Sequence, residues 1–287
     1  MKKYTVIGLF ILGFISFASA QILPDKTKEV EVLKLNWEEL GKTKPWLASE
    51  QWEPVPEKVT PGYLSAAPSD ATILFDGTDL SEWHNPKYEY GARMDEVKSI
   101  LEARLRVQEF TDPEWIVKDG AMIVNPGKGA IETKKSFGNM QLHIEWLSPE
   151  DPGKKDQLYS NSGIFLMGLY EIQVLNSYEN VTYSNGQAGA LYKQKYPLVN
   201  ASKPPGEWQT YDIIFRAPTF EANGKLKTPA HVTAFHNGVL IQNHSELKGP
   251  CVYIGESYYI PHPDKMPLIL QDYGDRVRFR NIWVRDL

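Results

Sequence analysis

The clearest signal along the chain is alternation. In "QLHIEWL", Leu142, Ile144 and Trp146 fall on one side and His143 and Glu145 on the other; in "YEIQVLN", Tyr170, Ile172 and Val174 oppose Glu171, Gln173 and Leu175. A period of two marks strands with one apolar and one polar face. Further strands are predicted in "ILF" before Asp76-Gly77, "GIFLMG", "WQTYDIIFRA", "LILQDYG" and "RVRFRNIWVRDL". Asp119-Gly120 in "EWIVKDGAMIVN" and Asn237-Gly238 in "AHVTAFHNGVLIQNH" are hairpin turns, because both residue pairs tolerate the left-handed backbone of a two-residue loop. So many short strands separated by turn residues predict an all-β jelly roll or sandwich of two antiparallel sheets. One segment, about 86–113, breaks the rhythm: "MDEVKSILEARLRVQEF" spaces Val97, Ile100, Leu101, Leu105 and Val107 as an approximate helical stripe, a short insertion between two strands.

The first 20 residues carry Lys2 and Lys3, an apolar run and Ala18-Ser19-Ala20, the order of parts in a secretory signal peptide. An exported protein, periplasmic or secreted, is expected, with no membrane anchor, since no Cys follows the cleavage site and no later run is long and apolar enough to span a bilayer. Residues 21–70 are Pro-rich and without period, an irregular leader, so the jelly-roll domain is expected over 71–287. The single Cys251 leaves packing, not disulfides, to hold the fold, and its setting "GPCVYIG" is that of a small buried hydrophobe. Loss of the two signal lysines takes the net charge from −5 to about −7, with no basic cluster, which argues against nucleic acid as a partner. The 8 Trp and 15 Tyr suit a protein that handles sugars, although aromatic side chains also fill β cores.

Motif chemistry is excluded more than it is supplied. There is no HExxH, CxxC, EF-hand, Walker, dinucleotide or GxSxG pattern, and the 6 His are scattered. No cofactor is signalled; a divalent cation stays open through Asp272. What remains is the pair of polar strand faces. Such a face can simply meet water, but His143, Glu145, Glu171 and Gln173 mix acids with groups that both donate and accept, which suits sugar hydroxyls in a cleft.

Eight segments, "LFDGTDLSEW", "WIVKDGAMIV", "LHIEW", "NSGIFLMGLYEIQVLNS", "GQAGALY", "GEWQTYDIIF", "HNGVLI" and "PLILQDYGDRVRFRNIWVRDL", follow in order a pattern similar to that of the 3-keto-disaccharide hydrolase family. The resemblance implies a concanavalin A-like jelly roll, related in architecture to laminarinases and lectins, that cleaves glycosides already oxidised to a ketone at C3. It also implies a partner dehydrogenase that makes the ketone. The insertion at 86–113 departs from the family pattern and is expected at the cleft rim or against a second subunit of a homo-oligomer.

A C3 ketone acidifies the C2 proton, so a carboxylate or imidazole can remove it and the C1 substituent leaves by elimination, with water then adding. On this reading Glu171 is the base or acid, Glu145 its partner and His143 a reserve base. Gln173, Asn161 and Gln271 would hold hydroxyls, Tyr192 and Trp208 would stack on sugar, and Arg280 would stabilise an oxyanion or else pair with a carboxylate. His236, beside its turn, is expected to be exposed. Two alternatives stay open: a non-catalytic carbohydrate-binding module of the same fold, and a laminarinase-like glycosidase using two carboxylates directly.

Overall fold

The computed structural model describes residues 42, 46, 49–87 and 96–287. The signal-peptide segment therefore lies outside the described residues, as do residues 88–95 of the insertion. Two compact units divide the chain, Met1–Lys58 and Val59–Leu287, and the second carries the strands. In chain order these are β1 (Thr72–Phe75), β2 (Trp83–Pro86), β3 (Phe110–Thr111), β4 (Ile116–Lys118), β5 (Ala121–Ile123), β6 (Ile131–Phe137), β7 (Met140–Leu147) and β8 (Ser162–Leu166). There follow β9 (Tyr170–Val174), β10 (Trp208–Arg216), β11 (Thr219–Phe220), β12 (Leu226–Thr228), β13 (His231–His236), β14 (Val239–Glu246), β15 (Met266–Leu270) and β16 (Arg278–Asp286). The α-helix of the insertion, α1 (Val97–Leu105), stands between β2 and β3.

The first sheet runs β14-β13-β10-β7-β16-β5-β4, with β1 also on β16; the second runs β3-β2-β6-β15-β8-β9; β11 and β12 form a separate hairpin. Their apolar faces meet. Leu142, Ile144 and Trp146 of β7 and Tyr211, Ile213 and Phe215 of β10 pack from the first sheet against Ile164, Leu166, Tyr170, Ile172 and Val174 of β8 and β9, all buried. This is the jelly-roll sandwich that the alternation predicts. Both predicted hairpin turns take the left-handed backbone, with φ of 53° and 72° at Asp119-Gly120 and 52° and 79° at Asn237-Gly238.

In β16, a register shift between Arg280 and Trp283 inserts an extra residue, and Asn281 adopts φ 47°. The bulge turns both Arg280 and Asn281 to the outer face of the first sheet, where simple alternation allows one. In α1, Val97, Ile100 and Leu101 are buried, while Leu105 is exposed and the helix stops before Val107, so the apolar stripe is shorter than predicted.

His236 corrects an expectation. It shares the inward face of β13 with Val232 and Ala234, is 1% exposed, and packs against Trp146 and Tyr211 with Nε2 3.1 Å from Gln209 Oε1. Its position at the strand end, one residue before the turn, keeps the strand parity that points it into the core.

Candidate functional site

Glu171 and Gln173 leave β9 on the outer face of the second sheet, yet they are 5% and 0% exposed. Chain segments fold over that face. Tyr192 N donates to Glu171 O, Gln173 N donates to Ala190 O, and Cys251 N donates to Leu169 O at 2.7 Å, so two loops cross the sheet, while α1 brings Ile100 and Arg104 to the same place. Between them lies a cavity of about 240 Å³ lined by Glu171, Gln173, Asn161, Tyr192 and Gln271, together with Phe165, Cys251, Tyr253 and Tyr273. Asn161 enters from just before β8, and Gln271 from just after β15, where its N–H donates to Gly163 O.

The Glu171 carboxyl is held at both ends. Its Oε2 accepts from the Cys251 thiol at 3.1 Å. Its Oε1 lies over Gly163, where a Cβ would collide with it, and takes the Gln173 amide at 3.2 Å once that amide is turned to put its nitrogen toward the acid. Burial pushes the Glu171 pKa up to about 7, against the opposing pull of the Cys251 hydrogen bond and the Arg104 charge. Burial likewise keeps the Cys251 thiol protonated, well above its ordinary value. Burial, then the hydrogen bond with Tyr183 at 2.7 Å, raise the Tyr192 hydroxyl above its usual range. At the rim the Lys193 ammonium stands 4.0 Å from the Tyr183 ring centroid and 5.5 Å from that of Tyr253.

The 3-keto-alpha-glucoside-1,2-lyase-like domain matches residues 70–285. The chain belongs to that family. A crystal structure titled a "putative glycosyl hydrolase" from Parabacteroides distasonis is 44% identical, over 84% of this chain and 96% of its own, with a TM-score of 0.72. A second, under the same description and from the same organism, is 20% identical over 76% of this chain and 94% of its own, with a TM-score of 0.48. No curated protein matches. The family match spans both sheets and α1, so the cavity lies wholly within it.

Within the family domain, the expected site divides into two. Glu171, Gln173, Asn161, Tyr192 and Gln271 share the cavity; Glu145, His143, Trp208 and Arg280 do not. Glu145 and His143 lie on β7, and Trp208 on β10, all on the outer face of the first sheet, whereas Glu171 faces outward from the second. The expected pairing of Glu145 with Glu171 is thus corrected, since the thickness of the sandwich separates them. Alternation places both acids away from the core but does not say which sheet each strand joins.

On that opposite face Glu145 is tied down. Its Oε2 accepts from Arg280 Nε at 2.6 Å and its Oε1 from Asn281 Nδ2 at 2.9 Å and Ser65 Oγ at 3.1 Å. His143 Nδ1 meets Asp212 Oδ1 at 2.6 Å, and its ring stacks on Trp283. The Arg280 guanidinium sits 4.0 Å over the Trp208 ring, so the ring is covered by Arg280, which also bonds Glu145. Burial alone would push His143 down, but its hydrogen bond with Asp212 and its ion pair with Glu145 at 3.7 Å lift it to about 9; burial would raise Glu145, but the pairing with His143 and the hydrogen bonds from Asn281 and Arg280 take it to about 2. Trp283 Nε1 and Asn281 Nδ2 both donate to Ser65 O, pinning the chain before β1 onto this face. These contacts form a clasp that joins β7, β10, β16 and the segment before β1.

Asp272 spends its oxygens on the backbone N–H groups of Gly129 and Gly274. Among the described residues no group of three or more His, Cys, Asp or Glu side chains is placed to hold a metal ion. Arg104, Cys251, Tyr253 and Tyr273 are polar cavity residues that the sequence analysis does not assign to the site, and Arg104 is the one cation among the described residues lining it.

Proposed function

We propose that this protein cleaves the glycosidic bond of 3-keto-glycosides, with Glu171 as the base that takes the C2 proton. The observation that carries the reading is a single carboxyl, held near pKa 7 by burial, in a cavity that also offers amide and tyrosine hydrogen-bonding groups. A base poised near neutrality suits abstraction of a proton acidified by the adjacent ketone. The C–H electron pair forms an enolate with its charge on the C3 oxygen; its return makes the C1–C2 double bond and expels the C1 oxygen. Tyr192, kept protonated by burial, is the donor to that departing oxygen. Water then adds to the unsaturated ketone, giving net hydrolysis.

Family membership and the likeness to a glycosyl hydrolase candidate from Parabacteroides distasonis support a carbohydrate substrate. Direct displacement by two carboxylates is disfavoured, since Glu171 is the one carboxylate among the described residues lining the cavity. The proposal extends to export by the N-terminal segment and to a C3-oxidising dehydrogenase upstream. The test is to incubate the protein with a 3-keto-disaccharide and with its unoxidised parent. Cleavage of the ketone alone, falling at least a hundredfold in Glu171→Gln, is expected; binding of both without turnover makes the protein a lectin instead, and cleavage of the parent makes it an ordinary glycosidase.

A further inference from the structure

The helical segment between β2 and β3 forms part of the cavity wall. Ile100 and Arg104 stand four residues apart on α1, on one face of the helix, and both line the cavity. Arg104 places its guanidinium carbon 6.0 Å from the centre of the Phe165 ring. Phe165 is the direct cross-strand partner of Glu171 in the β8/β9 pair, and side chains of such a pair stand side by side on one face. Arg104 and Glu171 thus both neighbour Phe165 and line one cavity, and the Arg104 charge acts on that acid.

We propose that Arg104 is a catalytic residue, the donor that receives the C3 oxyanion when Glu171 removes the C2 proton. The assignment rests on the keto-glycoside reading above. Proton abstraction moves the C2–H pair into the C2–C3 bond and the carbonyl pair onto O3; no oxidant is needed, and the negative charge leaves Glu171 for O3. A planar, permanently charged fork of N–H donors fits an oxyanion flanked by a neighbouring hydroxyl better than a single ammonium would. It also stands preorganised on a packed helix, where such donors contribute most to the transition state. Arg280 lies across the sandwich beside Glu145 and does not line the cavity.

The test is Arg104→Ala and Arg104→Lys, assayed on a 3-keto-disaccharide. Loss of an oxyanion donor typically lowers kcat on the order of 10²–10³-fold, so that fall is expected for Arg104→Ala with KM changed little. Arg104→Lys, which keeps the charge if the alanine variant folds poorly, should retain more. Added guanidinium chloride at low concentration should restore part of kcat to Arg104→Ala, and urea should not. Removing the cation should also shift the acid limb of the kcat/KM profile to higher pH, a change that simple loss of packing would not cause. Unchanged kcat, a loss confined to KM, or equal defects in Ala and Lys variants without guanidinium rescue overturns the assignment while the keto-glycoside reading stands. A wild-type protein inert toward the ketone overturns both.

Discussion

Gly163 shows how closely the cavity is fitted around its acid. Any side chain there would run into Glu171 Oε1, and its Cβ would stand 2.8 Å from Phe165 Cε2. Both neighbours are side-chain ends, so Gly163→Ala can fold, but only by moving the carboxyl off its contacts with Cys251 and Gln173. We expect kcat/KM to fall by roughly tenfold to a hundredfold, the scale of a displacement near 1 Å at a reacting group, with a melting temperature within a few degrees of wild type. Wild-type kcat/KM in that variant would mean the position of Glu171 is not critical. Glu171 and Gln173 were legible in the sequence because two polar side chains interrupt an otherwise apolar run at the spacing of one strand face. Cys251 and Arg104 were not. The setting of Cys251 does read as buried, but its partner lies 80 residues away in the chain; Arg104 stands in a helix whose apolar stripe drew the eye to the opposite property.

At the scale of elements, strand parity was readable and sheet membership was not. β7 and β9 each show a clean apolar face, and both fold with that face inward; yet β7 pairs with β10 and β16, and β9 with β8, so the polar faces look out on opposite sides. β6 escaped notice because charged residues fill its middle, with Glu132 buried against His84 at 2.9 Å and Thr133 bonded to Leu268 N across the sheet. The bulge of β16 carries no sequence signature beyond an Asn at the left-handed position. Its consequence is testable. Glu145→Gln and Asn281→Ala should leave turnover of the keto-disaccharide within about twofold, because the clasp is remote from the cavity. Asn281→Ala should destabilise the fold by about 1–3 kcal/mol, since it strips partners from a buried acid and from Ser65, as read from denaturant midpoints. A folded Glu145→Gln protein that has lost activity would move the chemistry to the first sheet.

For the whole molecule, four buried titrating groups set how stability varies with pH, and their signs differ. His143, raised to about 9, contributes fully below its unfolded value of 6.5, and that contribution is lost as pH climbs through 9. Glu145, lowered to about 2, contributes fully above 4.5 and is lost as pH falls toward 2. Glu171 is raised to about 7, so the fold favours its protonated form and loses stability as pH rises from 4.5 to 7. His236, pushed down to about 3 by burial, favours the fold above 6.5 and costs stability as pH falls from there. Between 4.5 and 6.5 the clasp is intact while Glu171 and His236 change in opposite directions. Above that window His143 and Glu171 both lose, and below it Glu145 and His236 both lose. Melting temperature should therefore be highest between about pH 4.5 and 6.5 and fall on either side. His143→Gln should lower it by several degrees at pH 6 and by much less at pH 9.5, where the wild type has already lost that proton. A deficit equal at both pH values would mean that His143 holds the first sheet by packing on Trp283 alone, and that the ionised clasp contributes nothing to the fold.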